Sequence, residues 1–169
     1  MSSSDRRTVL RGLASLALPA LVLPACGFTP AYGPAGAASR LQNTILPDAP
    51  QTRDQYLLIQ QVEDRLGRGE NGPYALGYSY AISGAGMGVT AENVTTRFNL
   101  VGRVDFALRD RATEAVLIQG SVDGFTGLST TGSTTATAAA DRDARARLAV
   151  LLADKMVTQL IARAGSLPA

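Results

Sequence analysis

Residues 73–83 read PYALGYSYAIS. Tyr74, Leu76, Tyr78, Tyr80 and Ile82 fall on one side of a two-residue repeat. Ala75, Gly77, Ser79 and Ala81 fall on the other. Successive side chains of a strand point to opposite faces, so this period predicts a β-strand with one apolar face. Three tyrosines on that face read as a core surface with phenol tips at its rim, in preference to a ligand platform. The following Gly84-Ala85-Gly86-Met87-Gly88 reads as a loop. It is no phosphate cradle, because Val89 stands where a further glycine is needed and strand residues follow instead of a helix.

Toward the C-terminus, Asn93 to Arg109 predicts a second long strand. Phe98, Leu100, Val104, Phe106 and Leu108 share one face, with Gly102 in the row; Arg97, Asn99, Arg103, Asp105 and Arg109 share the other. That second face is wet or meets a polar partner. Residues 110–114 make a hairpin connection. Ala115 to Phe125 predicts a third strand, with Val116, Ile118 and Val122 on one side. Gly120 and Gly124 mark bulges or close packing. Residues 126–136 are small, polar and loop-like.

Two helices flank these strands. Residues 52–66 carry Tyr56, Ile59, Val62 and Leu66 at helical spacing, with Thr52 or Asp54 as cap and Gly67 past the end. Thr137 to Ala164 has no Gly or Pro inside, and Leu148, Leu151, Leu152, Met156 and Leu160 form its apolar side. Asp141, Arg142, Asp143, Arg145 and Arg147 read as a solvated, ion-paired face. A short strand at Asn43–Leu46 stops at Pro47. The order is β-α-β-β-β-α. The expected fold is α+β: a two-layer sandwich with two helices on one face of a roughly four-stranded, mostly antiparallel sheet.

Composition narrows the chemistry. The 169 residues include no His and one Cys. No Ser-His-Asp or Cys-His unit can form, and neither can an imidazole metal site, a thiolate zinc cage or an intramolecular disulfide. No metal and no cofactor are expected. Paired carboxylates such as Glu92 and Asp105 remain a hydrolase option, but no constellation supports them.

The sequence pI is about 9.0, which raises the question of nucleic acid. The N-terminus answers it. Arg6, Arg7 and Arg11 form a basic region, and Leu13 to Leu23 an apolar run shorter than the about 20 residues that span a membrane. Small residues then surround Cys26 in Leu23-Pro24-Ala25-Cys26-Gly27, a pattern that resembles a bacterial lipobox, although Pro24 is unusual there. In that motif the peptide before the Cys is removed and the Cys is acylated. The Asp5–Arg11 stretch also resembles a twin-arginine signal, and both export routes stay open. Removing residues 1–25 leaves thirteen basic and thirteen acidic side chains. The positive charge belongs to the discarded segment, and nucleic acid is not an expected partner. The predicted organisation is a signal peptide at 1–25, an acylated Cys26 with flexible tether over 26–43, and a single domain over 44–165.

Directly after the lipobox, the run Cys26-Gly27-Phe28-Thr29-Pro30-Ala31-Tyr32-Gly33 resembles the start of the lipopolysaccharide-assembly lipoprotein family LptE. The element order and the run Ala136–Leu148 are similar to that family as well. The resemblance implies a non-enzymatic outer-membrane lipoprotein on the periplasmic face. It implies a plug for the β-barrel LptD that helps the barrel assemble and helps lipopolysaccharide reach the outer leaflet. Cys26 carries over as the lipidated residue, and its lipid tethers the domain to the membrane. Lipopolysaccharide is anionic, so Arg97, Arg103, Arg109 and Arg111, on or beside one strand, are the candidate contacts. The bland alternative pairs them with solvent, Asp105 or Asp110. The alternative function is an accessory or pilot lipoprotein of another outer-membrane machine.

Overall fold

The computed structural model describes residues 30–33, 36–89 and 95–168; the expected signal peptide, Cys26 and Glu92 lie outside them. The chain forms β1 (Ile45–Pro47), α1 (Arg53–Leu66), β2 (Tyr74–Val89), β3 (Thr95–Asp110), β4 (Val116–Ser129) and α2 (Thr134–Arg163), with a 3-10 turn at Ala164–Ser166. The sheet order is β1-β2-β3-β4. β1 runs parallel to β2; the other pairs are antiparallel. This is the expected α+β order, with the one parallel pair at the edge.

The Gly84–Gly88 stretch is strand, not loop. Gly84, Ala85 and Gly86 sit opposite Leu100, Asn99 and Phe98 of β3, so ladder pairing overrides the weak strand preference of glycine. β4 likewise continues past Phe125 to Ser129, and α2 begins at Thr134, capped by the Ser133 side chain.

The alternation of β2 and β3 holds. Leu76, Val104, Phe106 and Leu108 are buried on the helix side, with Ile118 and Val122 beside them on β4. Val116 is not with them. Leu108 pairs Ile118 but Arg109 pairs Val116, so Leu117 is an extra residue and the phase flips. Val116 shares the outer face with Arg109 and is exposed.

α2 packs Ala144, Leu148, Leu152, Met156 and Leu160 onto this layer. Glycines let it approach. A Cβ at Gly102 would lie 2.8 Å from Leu152 Cδ1, and one at Gly120 would lie 2.6 Å from Gln159 Oε1. α1 is capped by Thr52, whose side chain accepts from the Gln55 N–H at 3.2 Å, and ends at Gly67 with φ 73°, a left-handed conformation that glycine adopts freely. Its buried stripe is Leu58, Ile59, Val62 and Leu66. Tyr56 is exposed: six residues before Val62, it lies roughly 120° around the helix from the stripe's centre.

Ion pairs join the helices. Arg145 reaches both Asp54 of α1 and Asp141 of its own helix at 2.8 Å, and Arg65 meets Asp154 at 2.6 Å. Asp141, first among its partners, holds the Arg145 guanidinium more strongly protonated than usual. Arg147 pairs with Asp143. The expected ion-paired face is divided: Arg145 and Asp141 turn toward α1, and Arg147 and Asp143 toward β4.

The same helix closes one edge of the sheet. Odd-numbered residues of β4 turn their backbone groups away from β3. Arg147 donates to the Gly127 carbonyl at 3.2 Å, Lys155 to Asp123 at 2.7 Å, Gln159 to Ser121 at 3.1 Å, and Arg163 to Gln119. Leu151 fills the remaining step, 2.8 Å from where a Gly124 Cβ would stand. Residues 147, 151, 155, 159 and 163 recur every four along the helix, matching every second residue of the strand.

Candidate functional site

The face of the sheet opposite the helices is the functional surface to weigh. β2 gives it small side chains: Ala75, Gly77, Ser79 and Ala81. β3 gives it charge. β4 adds Val116, Gln119, Ser121, Asp123 and Phe125. The cross-strand register sets Ala81 beside Arg103 and Arg103 beside Asp123, and pairs Ser79 with Asp105 and Val101 with Phe125. Val101 and Phe125 are exposed apolar neighbours on a largely polar face.

The four candidate arginines are not brought together. Arg97 and Arg109 are twelve residues apart on one strand, about 40 Å at the usual rise. Arg103 grips Asp105, with contacts of 2.8 and 3.2 Å. Its hydrogen bonds hold Asp105 below the usual carboxylate range, with Ser121 adding to the effect. Both side chains are exposed. Arg111 leaves the sheet and donates to the carbonyls of Glu70 and Gly72, both at 2.9 Å, which fastens the β3 end to the loop before β2. Asp110 accepts the N–H groups of Ala112 and Thr113 at 2.9 Å, closing the hairpin. Neither Arg97 nor Arg109 has an ion pair or hydrogen bond to a side chain among the described residues.

Arg109 stands at a shallow hollow of about 710 Å³, with Gly77 and Ala107 in its lining and Asp48, Asp105, Gln119 and Ser121 around it. The missing side chain at Gly77 makes the depression; a Cβ there would lie 3.4 Å from Asp48 Oδ2. One guanidinium among two carboxylates suits a polar group with both donors and acceptors. Among the described residues, no three His, Cys, Asp or Glu side chains come together to hold a metal.

A second cleft, about 650 Å³, lies at the far end of the helix side. Phe98, Leu100 and Leu128 line it with Thr134, Thr137 and Ala138 from the first turns of α2. Sequence reading missed this cleft because it arises where strand length and helix start meet. It also missed the row Arg147–Arg163, whose signal was present as long polar side chains four apart.

A family model for lipopolysaccharide assembly, LptE, matches residues 41–160. The chain belongs to the LptE family. Solved structures resemble this LptE domain. A Caulobacter crescentus protein, provisionally described as a lipoprotein, is 33% identical over 80% of this chain and all of that one, with a TM-score of 0.65. A minor lipoprotein of Acinetobacter baumannii is 16% identical over 70% of this chain and 88% of that one, TM-score 0.55. The rare lipoprotein B of Shewanella oneidensis is 11% identical over 70% and 92%, TM-score 0.51. The last two share the fold alone. No curated protein sequence matches the chain significantly. By family, this chain is a lipopolysaccharide-assembly lipoprotein.

Proposed function

We propose that this LptE-family chain is anchored by lipid on Cys26 to the periplasmic face of the outer membrane. There it plugs the LptD barrel, assists its assembly and helps deliver lipopolysaccharide to the outer leaflet, without catalysing a reaction. The observation that carries the reading is the family match over residues 41–160. The open face of the sheet supports it: a mixed polar surface suits the polar lumen of a membrane barrel. A lipid anchor would keep the domain at high local concentration beside its partner.

Arg97, Arg103, Arg109 and Arg111 are the proposed lipopolysaccharide contacts. Within that set Arg97 and Arg109 are favoured, because no side chain among the described residues pairs with their guanidiniums.

Affinity purification of the chain from membranes tests the reading. LptD is expected to co-purify, and depletion is expected to lower surface lipopolysaccharide. Recovery of the chain with no large barrel overturns the plug. Cys26→Ala is expected to leave a precursor or a soluble species; retention in the membrane at normal mature mass would contradict the anchor.

A further inference from the structure

The two edges of the sheet are treated differently. The β4 edge is sealed by Arg147, Lys155, Gln159 and Arg163. The β2 edge is covered by β1 only at Tyr74–Leu76. The Tyr74 N–H meets the Thr44 carbonyl and the Leu76 carbonyl accepts from Asp48, while the Pro73 carbonyl accepts from Arg111 of the β3 side. Even-numbered residues of β2 therefore aim their backbone groups away from β3. From Tyr78 to Gly86 the ladder with β3 is regular, and no described residue pairs with the outer side of Tyr78, Tyr80, Ile82, Gly84 or Gly86.

Unpaired edges template further strands, and proteins blunt them with charge, proline, shortness or cover. Tyr74–Val89 contains no Asp, Glu, Lys, Arg or Pro. It spans 16 residues, and Ser79, Ala81 and Ser83 are exposed. Among the described residues, four long side chains cover one edge and none covers the other.

We propose that the outer edge of β2, from Tyr78 to Gly86, is a strand-addition site for an extended, uncharged segment of a protein partner. Main-chain hydrogen bonds supply the affinity in this mode, and alternate side chains supply the specificity. The neighbours set the chemistry of the segment. On the helix side it lies along half-buried Tyr80 and Ile82; on the open side, along Ala81 and Ser83. None of these four is charged; Asp54, near Tyr80, is already paired with Arg145, and Asp48 stands beside Gly77 at the β1 end, so the middle of the edge favours an uncharged segment. A second copy of the chain is the weaker occupant. Edge pairing of one strand falls well short of the roughly 1,200 Å² that stable interfaces bury. The inference goes beyond the barrel reading and names how a partner is held.

The test uses the full-length chain in its membrane. Photo-crosslinking residues are placed in turn at Ala81, Ser83 and Ala85. The expected result is a ladder of adducts on one uncharged partner segment, stepping by two residues with each move along β2. Adducts without register, or adducts to a second copy, overturn the proposal. A ladder on a protein other than LptD sustains it while removing the barrel reading. Gly84→Pro is the second arm. It deletes one outward N–H, and a Cβ at Gly84 meets nothing within 4 Å. Proline is tolerated where an edge N–H faces outward. About tenfold less co-purified partner is expected at an unchanged thermal midpoint. Undiminished partner recovery overturns the proposal, and if this variant fails to fold, the adduct ladder decides.

Discussion

The Nζ of Lys155 donates to the backbone carbonyl of Asp123 at 2.7 Å. It is the only lysine in the chain. The contact ties the middle of α2 to the free edge of β4, and three further side chains repeat it along the strand. Arg147→Met, Lys155→Met and Gln159→Leu together are expected to bare that edge and promote self-association. Light scattering after gel filtration measures this; a strictly monomeric triple variant contradicts the sealing role. Lys155→Met alone is expected to cost about 1 kcal/mol in urea unfolding, since the lost bond is solvent-exposed.

Gly102 lies under Leu148 and Leu152 of α2, the latter 2.8 Å from its missing Cβ. Gly102→Ala is expected to push the helix off the sheet and to cost about 1–3 kcal/mol, the usual range for overpacking. Gly84→Ala, where a Cβ meets nothing, is the control and should fall within about 0.5 kcal/mol of the parent.

Tyr80 places its hydroxyl in the interior without a hydrogen-bond partner among the described residues. Burial, with Asp54 nearby adding to it, pushes the phenol up to about 12. The folded state therefore holds this proton more tightly than the unfolded chain, whose tyrosine titrates near 10. The resulting stabilisation is complete below pH 10 and is lost as pH rises toward 12. Tyr80→Phe is expected to flatten the fall in stability across that window. It should also leave neutral-pH stability unchanged or raise it by up to about 1 kcal/mol. Urea midpoints measured from pH 7 to 12 check both.

Arg145 joins Asp54 and Asp141 across two helices that are far apart in sequence. Its side chain is about one-third exposed, so solvent screens the pairing. Arg145→Met is expected to cost about 1 kcal/mol and to increase hydrogen exchange in α1 more than in β3. Equal exchange in both elements would argue against a local clasp.

Much of this fold is legible in periodicity. The alternation from Tyr74 to Ile82 and the matching row from Phe98 to Leu108 define two strands with one buried face. Thr52 and Gly67 mark the ends of α1 by their capping chemistry. Failures occur where pairing outvotes local preference. Gly84–Gly88 looks like a loop in isolation and becomes strand only because β3 runs beside it. One bulged residue, Leu117, turns Val116 outward, and no pattern confined to one strand reports the register of its neighbour.

The candidate site is less legible for a related reason. Four arginines within fifteen residues look alike as letters. Folding commits Arg103 to Asp105 and Arg111 to two carbonyls, and leaves Arg97 and Arg109 with no side-chain partner among the described residues. The distinction depends on residues distant in sequence, such as Glu70 and Gly72.

The row of α2 side chains along β4 works as a vernier. Four helical residues advance about 6.0 Å, whereas two strand residues advance about 6.7 Å. Between positions 147 and 163 the two scales drift apart by roughly 3 Å. The longest and most adaptable side chains, Arg147 and Arg163, stand at the two ends, where misalignment is greatest. A single-residue deletion inside α2 would turn every later tooth by about 100°, so this helix tolerates substitution far better than any change of length.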